Sequence, residues 1–139
     1  MKTTKKQIYI VEDNEIYAKQ LEFIIKNELD RNCVISIISN GKDLYKKISD
    51  SKIPDVIIMD HFLNEKEEFL GFDILLNLKN RYPNILMILH SSKEDIDLAI
   101  NVVKSNKCIY IAKGKEGFDR ITKALFLFFE SASKNLEHS

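Results

Sequence analysis

The chain has 139 residues, room for one ordinary domain and little more, and 45% of them are hydrophobic, enough to fill a sizeable core. Lysine plus arginine equals aspartate plus glutamate, 21 against 21, so no net charge pulls the chain toward nucleic acid or an acidic membrane surface. Cys33 and Cys108 stand alone in apolar runs and read as small buried hydrophobes of a reducing compartment, not as a disulfide or a metal pair. The N-terminal residues are polar and basic and lead straight into an apolar run, so no signal peptide fits. No apolar run reaches membrane-spanning length, and a cytoplasmic location is expected.

Ile8 to Val11 is a short apolar strand ending in Glu12-Asp13. Tyr17, Leu21, Ile24 and Ile25 then recur at helical spacing. Cys33 to Ile38 is rich in β-branched residues and stops at the turn signal Asn40-Gly41, after which Leu44 and Ile48 mark a short helix. Pro54-Asp55 introduces an apolar strand, Val56 to Met59, that ends at Asp60. Asn64 to Glu68 is an acidic, non-periodic loop, and Phe72, Leu75, Leu76 and Leu78 suit a third helix closed by Tyr82-Pro83. Ile85 to Leu89 is a fourth strand, followed by a helical stripe of Ile96, Ala99, Ile100 and Val103. Cys108 to Ala112 is the fifth strand, and Phe118 to about Leu136 the last helix.

Strands alternating with helices predict an α/β fold around a five-stranded parallel sheet, with apolar strands covered by helices on both faces. Ligands of such sheets bind beyond the carboxyl ends of the strands. The residues there are Glu12 and Asp13, Asp60, Ser91 and Ser92, and Lys113. Three carboxylates in one crevice repel one another unless a cation intervenes, and oxygen-only ligands suit magnesium better than zinc or copper. A carboxylate nucleophile, a hard divalent cation, a hydroxyl and a lysine together make a phosphoryl-transfer site.

In order, spacing and placement, Glu12-Asp13, Asp60, Ser91 and Lys113 resemble the acidic pair, phospho-acceptor, switch hydroxyl and lysine of response regulator receiver domains. The resemblance covers about residues 7 to 130, and Tyr110 resembles that family's aromatic switch residue. It implies a single receiver domain over residues 1–139 with the flavodoxin-like strand order 2-1-3-4-5. It implies that Asp60 takes a phosphoryl group from a phosphohistidine or a small acyl phosphate. Mg2+ would be bound by Asp13, Asp60 and the backbone carbonyl of Phe62, with Glu12 acting through water. Lys113 would pair first with Asp60 and then with a phosphoryl oxygen. Ser91 would swing toward the phosphoryl group while Tyr110 turns inward, remodelling the surface of the fourth helix, fifth strand and fifth helix. The implied partners are a sensor histidine kinase or phosphotransfer protein and a downstream protein. The chain would be a signalling domain that assists its own phosphorylation and dephosphorylation, not an enzyme.

Several positions depart from the family pattern. His61-Phe62-Leu63-Asn64 follows the acceptor where many members end in methionine-proline, and the loop to Gly71 is long and carries Glu65, Glu67 and Glu68. Gly114 stands where most members have a cis-bonded proline, so a trans bond or an unusual loop is expected. Ser105-Asn106 replaces the customary glycine-alanine. Phe62 and Lys93, two positions beyond Asp60 and Ser91, predict a long-lived phosphoryl group, because neither orients an attacking water. Two other readings stay open. One is a pseudo-receiver that binds without phosphorylation, which the intact acceptor, acid pair and lysine disfavour. The other is an aspartate-nucleophile phosphohydrolase, which would want a second carboxylate where Phe62 stands.

Bland readings stand beside several of these residues. Glu12-Asp13 could cap the first helix, Ser91 or Ser92 the fourth, and Tyr110 could be a fixed, half-buried ring. His61 and His90 read as hydrogen-bonded or solvated side chains. In the last helix Ile121, Ala124, Leu125 and Phe128 complete a core stripe, leaving Phe126, Leu127 and Phe129 either to close the core or to form a docking or homodimer surface.

Overall fold

The β-branched runs become five parallel strands, each joined to the next in the chain by a helix. The computed structural model describes residues 5–50, 52–63, 70–91, 96–114 and 116–137. Asn64 to Glu68, Ser92 and Lys93 lie outside those residues. In chain order the elements are β1 (Gln7–Val11), α1 (Glu15–Glu28), β2 (Val34–Ile38), α2 (Gly41–Asp50) and β3 (Val56–Met59). Then follow α3 (Gly71–Arg81), β4 (Leu86–Ser91), α4 (Ile96–Ser105), β5 (Ile109–Ala112) and α5 (Gly117–Glu137). The strand order is β2-β1-β3-β4-β5. The direction of winding therefore reverses between β1 and β3, which opens a crevice at their carboxyl ends.

Strand residues point alternately to opposite faces, and the central strands are apolar on both. Tyr9, Val11, Ile57, Met59, Met87 and Leu89 face one way and pack with Leu44, Ile48, Ile74, Leu75, Leu78, Leu98 and Val102 of α2, α3 and α4. Ile8, Ile10, Val56, Ile58 and Ile88 face the other way and pack with Ala18, Leu21 and Ile25 of α1 and Ile121 and Leu125 of α5. The edge strands depart from the uniformly apolar expectation: Val34 of β2 and Ile109 of β5 are exposed. A strand with one neighbour has less of its surface covered.

Local chemistry sets the helix starts. The Asn14 side chain accepts from the Tyr17 N–H at 3.1 Å and caps α1. Asn40, which reads as a turn residue, accepts from the Asp43 N–H at 2.8 Å and so starts α2. His61 does the same for α3, its carbonyl accepting from Gly71 N–H at 3.0 Å and its ring Nδ1 from Phe72 N–H at 3.2 Å. Asn106, in the Ser105-Asn106 departure, adopts φ +53°, a conformation asparagine tolerates better than most side chains.

Helix α4 corrects its expected stripe. Leu98 and Val102 are buried, while Ile100 and Val103 face outward. The helix is apolar on two sides, so spacing alone did not choose between them. On α5, Phe129 packs against the core as the bland reading has it, whereas Phe126 and Leu127 are exposed. Cys33 is buried and Cys108 half-buried, both free. Among the described residues no helix is long and apolar enough to cross a membrane.

Candidate functional site

The sheet hydrogen bonds continue one residue past each strand and bring distant residues to one edge. Glu12 N–H donates to Ile38 O at 2.8 Å, Asp60 N–H to Val11 O at 3.0 Å, and Lys113 N–H to Ser91 O at 2.8 Å. Carboxylate oxygens of Glu12, Asp13 and Asp60 consequently lie within 4.8 Å of one another. Glu12 and Asp60 are buried and Asp13 is exposed, so the cluster opens to solvent on one side. Lys113 donates to Asp60 Oδ2 at 3.1 Å and also forms an ion pair with Glu12 Oε1.

Burial pushes the Glu12 carboxyl above its ordinary range, and the Lys113 ammonium pulls against that rise. One ammonium does not balance three carboxylates. The donor set is all oxygen, compact and partly open to water, which fits a hard divalent cation.

Of the remaining sequence-derived residues, Ser91 and Phe62 adjoin this cluster through backbone groups bonded to Lys113 and Asp60, and Tyr110 lies on β5 three residues before Lys113. Ser91 belongs to β4, a strand that runs two residues further than expected; its hydroxyl is fully buried and has no hydrogen-bond partner among the described residues. A buried hydroxyl without a partner is uncommon and marks either strain or an absent ligand. Tyr110 is half-buried against the core shared with α3 and α4. Phe62 is exposed and meets His61 edge-on, 4.7 Å between ring centres, while its N–H donates to Asp60 Oδ1 at 3.1 Å. No peptide bond among the described residues is cis, as expected after Lys113, and Gly114 has φ +144°, a conformation that suits glycine.

Two residues bordering the site were not singled out as partners of Lys113. Tyr17, read only as part of an apolar stripe, lies with its ring 4.5 Å from Lys113 Nζ. Its hydroxyl is 2.5 Å from His90 Nε2, and His90 Nδ1 is 2.8 Å from Ile111 O. A carbonyl only accepts, so Nδ1 carries the proton, and in a neutral ring Nε2 then accepts from the tyrosine. The only sequence signal was a tyrosine on the helix following the acidic pair and a histidine beside Ser91.

Burial holds the His90 pKa at about 4, against 6.5 for an ordinary histidine. The charged groups facing it are Lys113, which lowers it further, and Asp60, which raises it; the Tyr17 hydroxyl stays protonated, because burial and the negative charges of Glu12 and Asp60 raise its own pKa. Between those values the unfolded chain binds a proton that the folded chain refuses. Stability is therefore complete above 6.5 and falls as pH drops toward 4, by about 3 kcal/mol in all. Denaturant unfolding of wild type and His90→Gln from pH 4.5 to 7.5 checks this. Equal pH slopes in the two proteins would remove His90 as the cause.

A sequence model described as the response regulator receiver domain matches residues 8–126. No curated protein matches the chain. Among solved structures, the signal receiver domain of an HD domain-containing protein from Pseudomonas fluorescens is 16% identical, with TM-score 0.78, covering 100% of this chain and 97% of that one. A CheY-like response regulator receiver domain protein from Methanospirillum hungatei is 17% identical, with TM-score 0.76, covering 94% and 99%. The phosphorylated cyanobacterial phytochrome response regulator RcpA is 17% identical, with TM-score 0.69, covering 88% and 90%. At these identities the structures speak to the fold.

Proposed function

The chain belongs to the response regulator receiver domain family, and on that premise we propose that it takes a phosphoryl group onto Asp60 in a magnesium-dependent reaction. The observation that carries this reading is the Lys113 ammonium 3.1 Å from Asp60 Oδ2, in a crevice shared with Glu12 and Asp13. Phosphoryl transfer asks mainly for positioning and charge neutralisation, and this constellation offers both. An Asp60 carboxylate oxygen attacks phosphorus, the bond from phosphorus to the donor's nitrogen or oxygen breaks, and the donor leaves with that electron pair. Magnesium, held by Asp13, Asp60 and the Phe62 carbonyl with Glu12 acting through water, would supply positive charge opposite the phosphoryl oxygens. Lys113 exchanges its contact with Asp60 for one with a phosphoryl oxygen. The Ser91 hydroxyl, without a partner among the described residues, turns to another oxygen, and Tyr110 moves into the space it leaves.

The donor is a sensor histidine kinase, a phosphotransfer protein or a small acyl phosphate. Output runs through protein contacts on α4, β5 and α5, where Ile100, Val103, Ile109, Phe126 and Leu127 are exposed; α5 is the surface for self-association. Incubation with an acyl phosphate and magnesium tests the reading. One phosphoryl mass on Asp60, which does not form when the metal is chelated beforehand, is the expected result; a folded chain that is never labelled is instead a phosphorylation-independent binding module.

Phe62 sets the lifetime of the product, because hydrolysis needs a water in line with the phosphorus–oxygen bond and a phenyl ring offers that water no hydrogen bond. Phe62→Asn is expected to speed loss of label several-fold. Equal or slower loss would mean that the ring, edge-on to His61, points away from the water's approach.

A further inference from the structure

Resting on the reading of Asp60 as acceptor and Lys113 as its partner, we propose that Tyr17 is a positioning residue for phosphoryl transfer, its ring a fixed platform that keeps the Lys113 ammonium in the crevice. A lysine side chain is flexible, and two carboxylates alone let its ammonium lean toward either. Here the ammonium also lies 4.5 Å from the centre of the Tyr17 ring, with the Lys113 side chain only 13% exposed. Attraction between a cation and a ring face strengthens as water is removed.

The platform is itself held in place. The Tyr17 hydroxyl bonds to His90, whose other ring nitrogen bonds to Ile111 O. Phe118 packs against the Tyr17 ring with 5.2 Å between centres. Gly117 passes so close to His90 that a Cβ there would lie 3.1 Å from His90 Cε1. Side chains from β4 and α5, with a β5 carbonyl behind them, thus fix this one ring of α1. During transfer Lys113 exchanges a carboxylate oxygen for a phosphoryl oxygen. The ring attracts the cation whichever anion it is paired with, and so keeps it within reach throughout the exchange.

The test compares the full chain with Tyr17→Phe, which keeps the ring, and Tyr17→Met, which fills the volume without a ring face. Labelling by a small acyl phosphate is expected to slow about tenfold in Tyr17→Met and to stay within about twofold in Tyr17→Phe. Magnesium affinity should be held in both, a split that a general loss of structure would not produce. In a Lys113→Ala background the Tyr17→Met exchange should have no further effect, because the ring acts through the lysine. Labelling of Tyr17→Met at the wild-type rate overturns the proposal, and so does an equal loss in Tyr17→Phe. The Lys113 ε-methylene protons give a readout independent of labelling and of how well the variants fold. They should be shifted upfield by the ring in wild type, and unshifted protons there overturn the platform. If wild type shows the ring shift but never labels, the phosphoacceptor reading fails and takes the platform's role in transfer with it.

Discussion

Asp60→Asn is expected to abolish labelling by an acyl phosphate while leaving a folded protein that is more stable in metal-free buffer. The amide has the shape of the carboxylate but no nucleophilic oxygen. Its Oδ1 still accepts from Phe62 N–H, the bond that shapes the start of the following loop. Lys113 gives up its contact with Asp60 and keeps its ion pair with Glu12. Against that loss stands relief of repulsion among three carboxylates whose oxygens lie within 4.8 Å of one another. Because the lysine keeps a partner, relief outweighs loss, and a gain of about 1 kcal/mol is expected. Magnesium reverses the order, since the metal stabilises whichever protein binds it more tightly. Mass spectrometry and thermal melts with and without magnesium measure all three effects. Wild-type labelling would move the acceptor elsewhere, and a lower melting temperature in chelator would mean that the Lys113–Asp60 contact dominates.

The reach of the sequence follows from which interactions are periodic. The strands and the two-sided core were legible because Ile8, Ile10, Ile57, Ile58, Met87 and Ile88 sit in short runs whose type and length are hard to read otherwise, whereas the strand order came only with the family resemblance. The acidic cluster with Lys113 was legible because each member ends a strand. The facing side of α4 was not, because Ile100 and Val103 are as apolar as Leu98 and Val102 and the helix leaves the choice to packing. Tyr17 and His90 escaped for another reason. Their 73-residue separation is bridged only by the fold, and neither residue type at its position calls for the other. The same holds for His61, whose ring caps α3 across eleven residues.

Gly71→Ala sets two ordinary rules against each other, and the contact distances decide between them. Gly71 opens α3, where alanine would normally favour the helix by about 1 kcal/mol. A Cβ at this position, however, would lie 2.3 Å from Asp60 O and 2.9 Å from His61 Cα. Both neighbours are backbone, so no side chain can rotate away. The start of α3 must instead lift from the segment after β3, straining the Gly71–His61 and Phe72–His61 hydrogen bonds. Overpacking of this kind costs roughly 1–3 kcal/mol and each weakened hydrogen bond about 1 kcal/mol more. The net expectation is a loss of about 2–3 kcal/mol, despite the better helix former. The clash bears on the backbone of the acceptor itself, so labelling of the molecules that remain folded should fall by more than about tenfold, as Asp60 shifts relative to Asp13 and Lys113. Urea unfolding and labelling under native conditions separate the two effects. A Gly71→Ala protein more stable than wild type would show that α3 and the acceptor do not approach this closely; a destabilised protein labelled at full rate would show that the loop yields without moving Asp60.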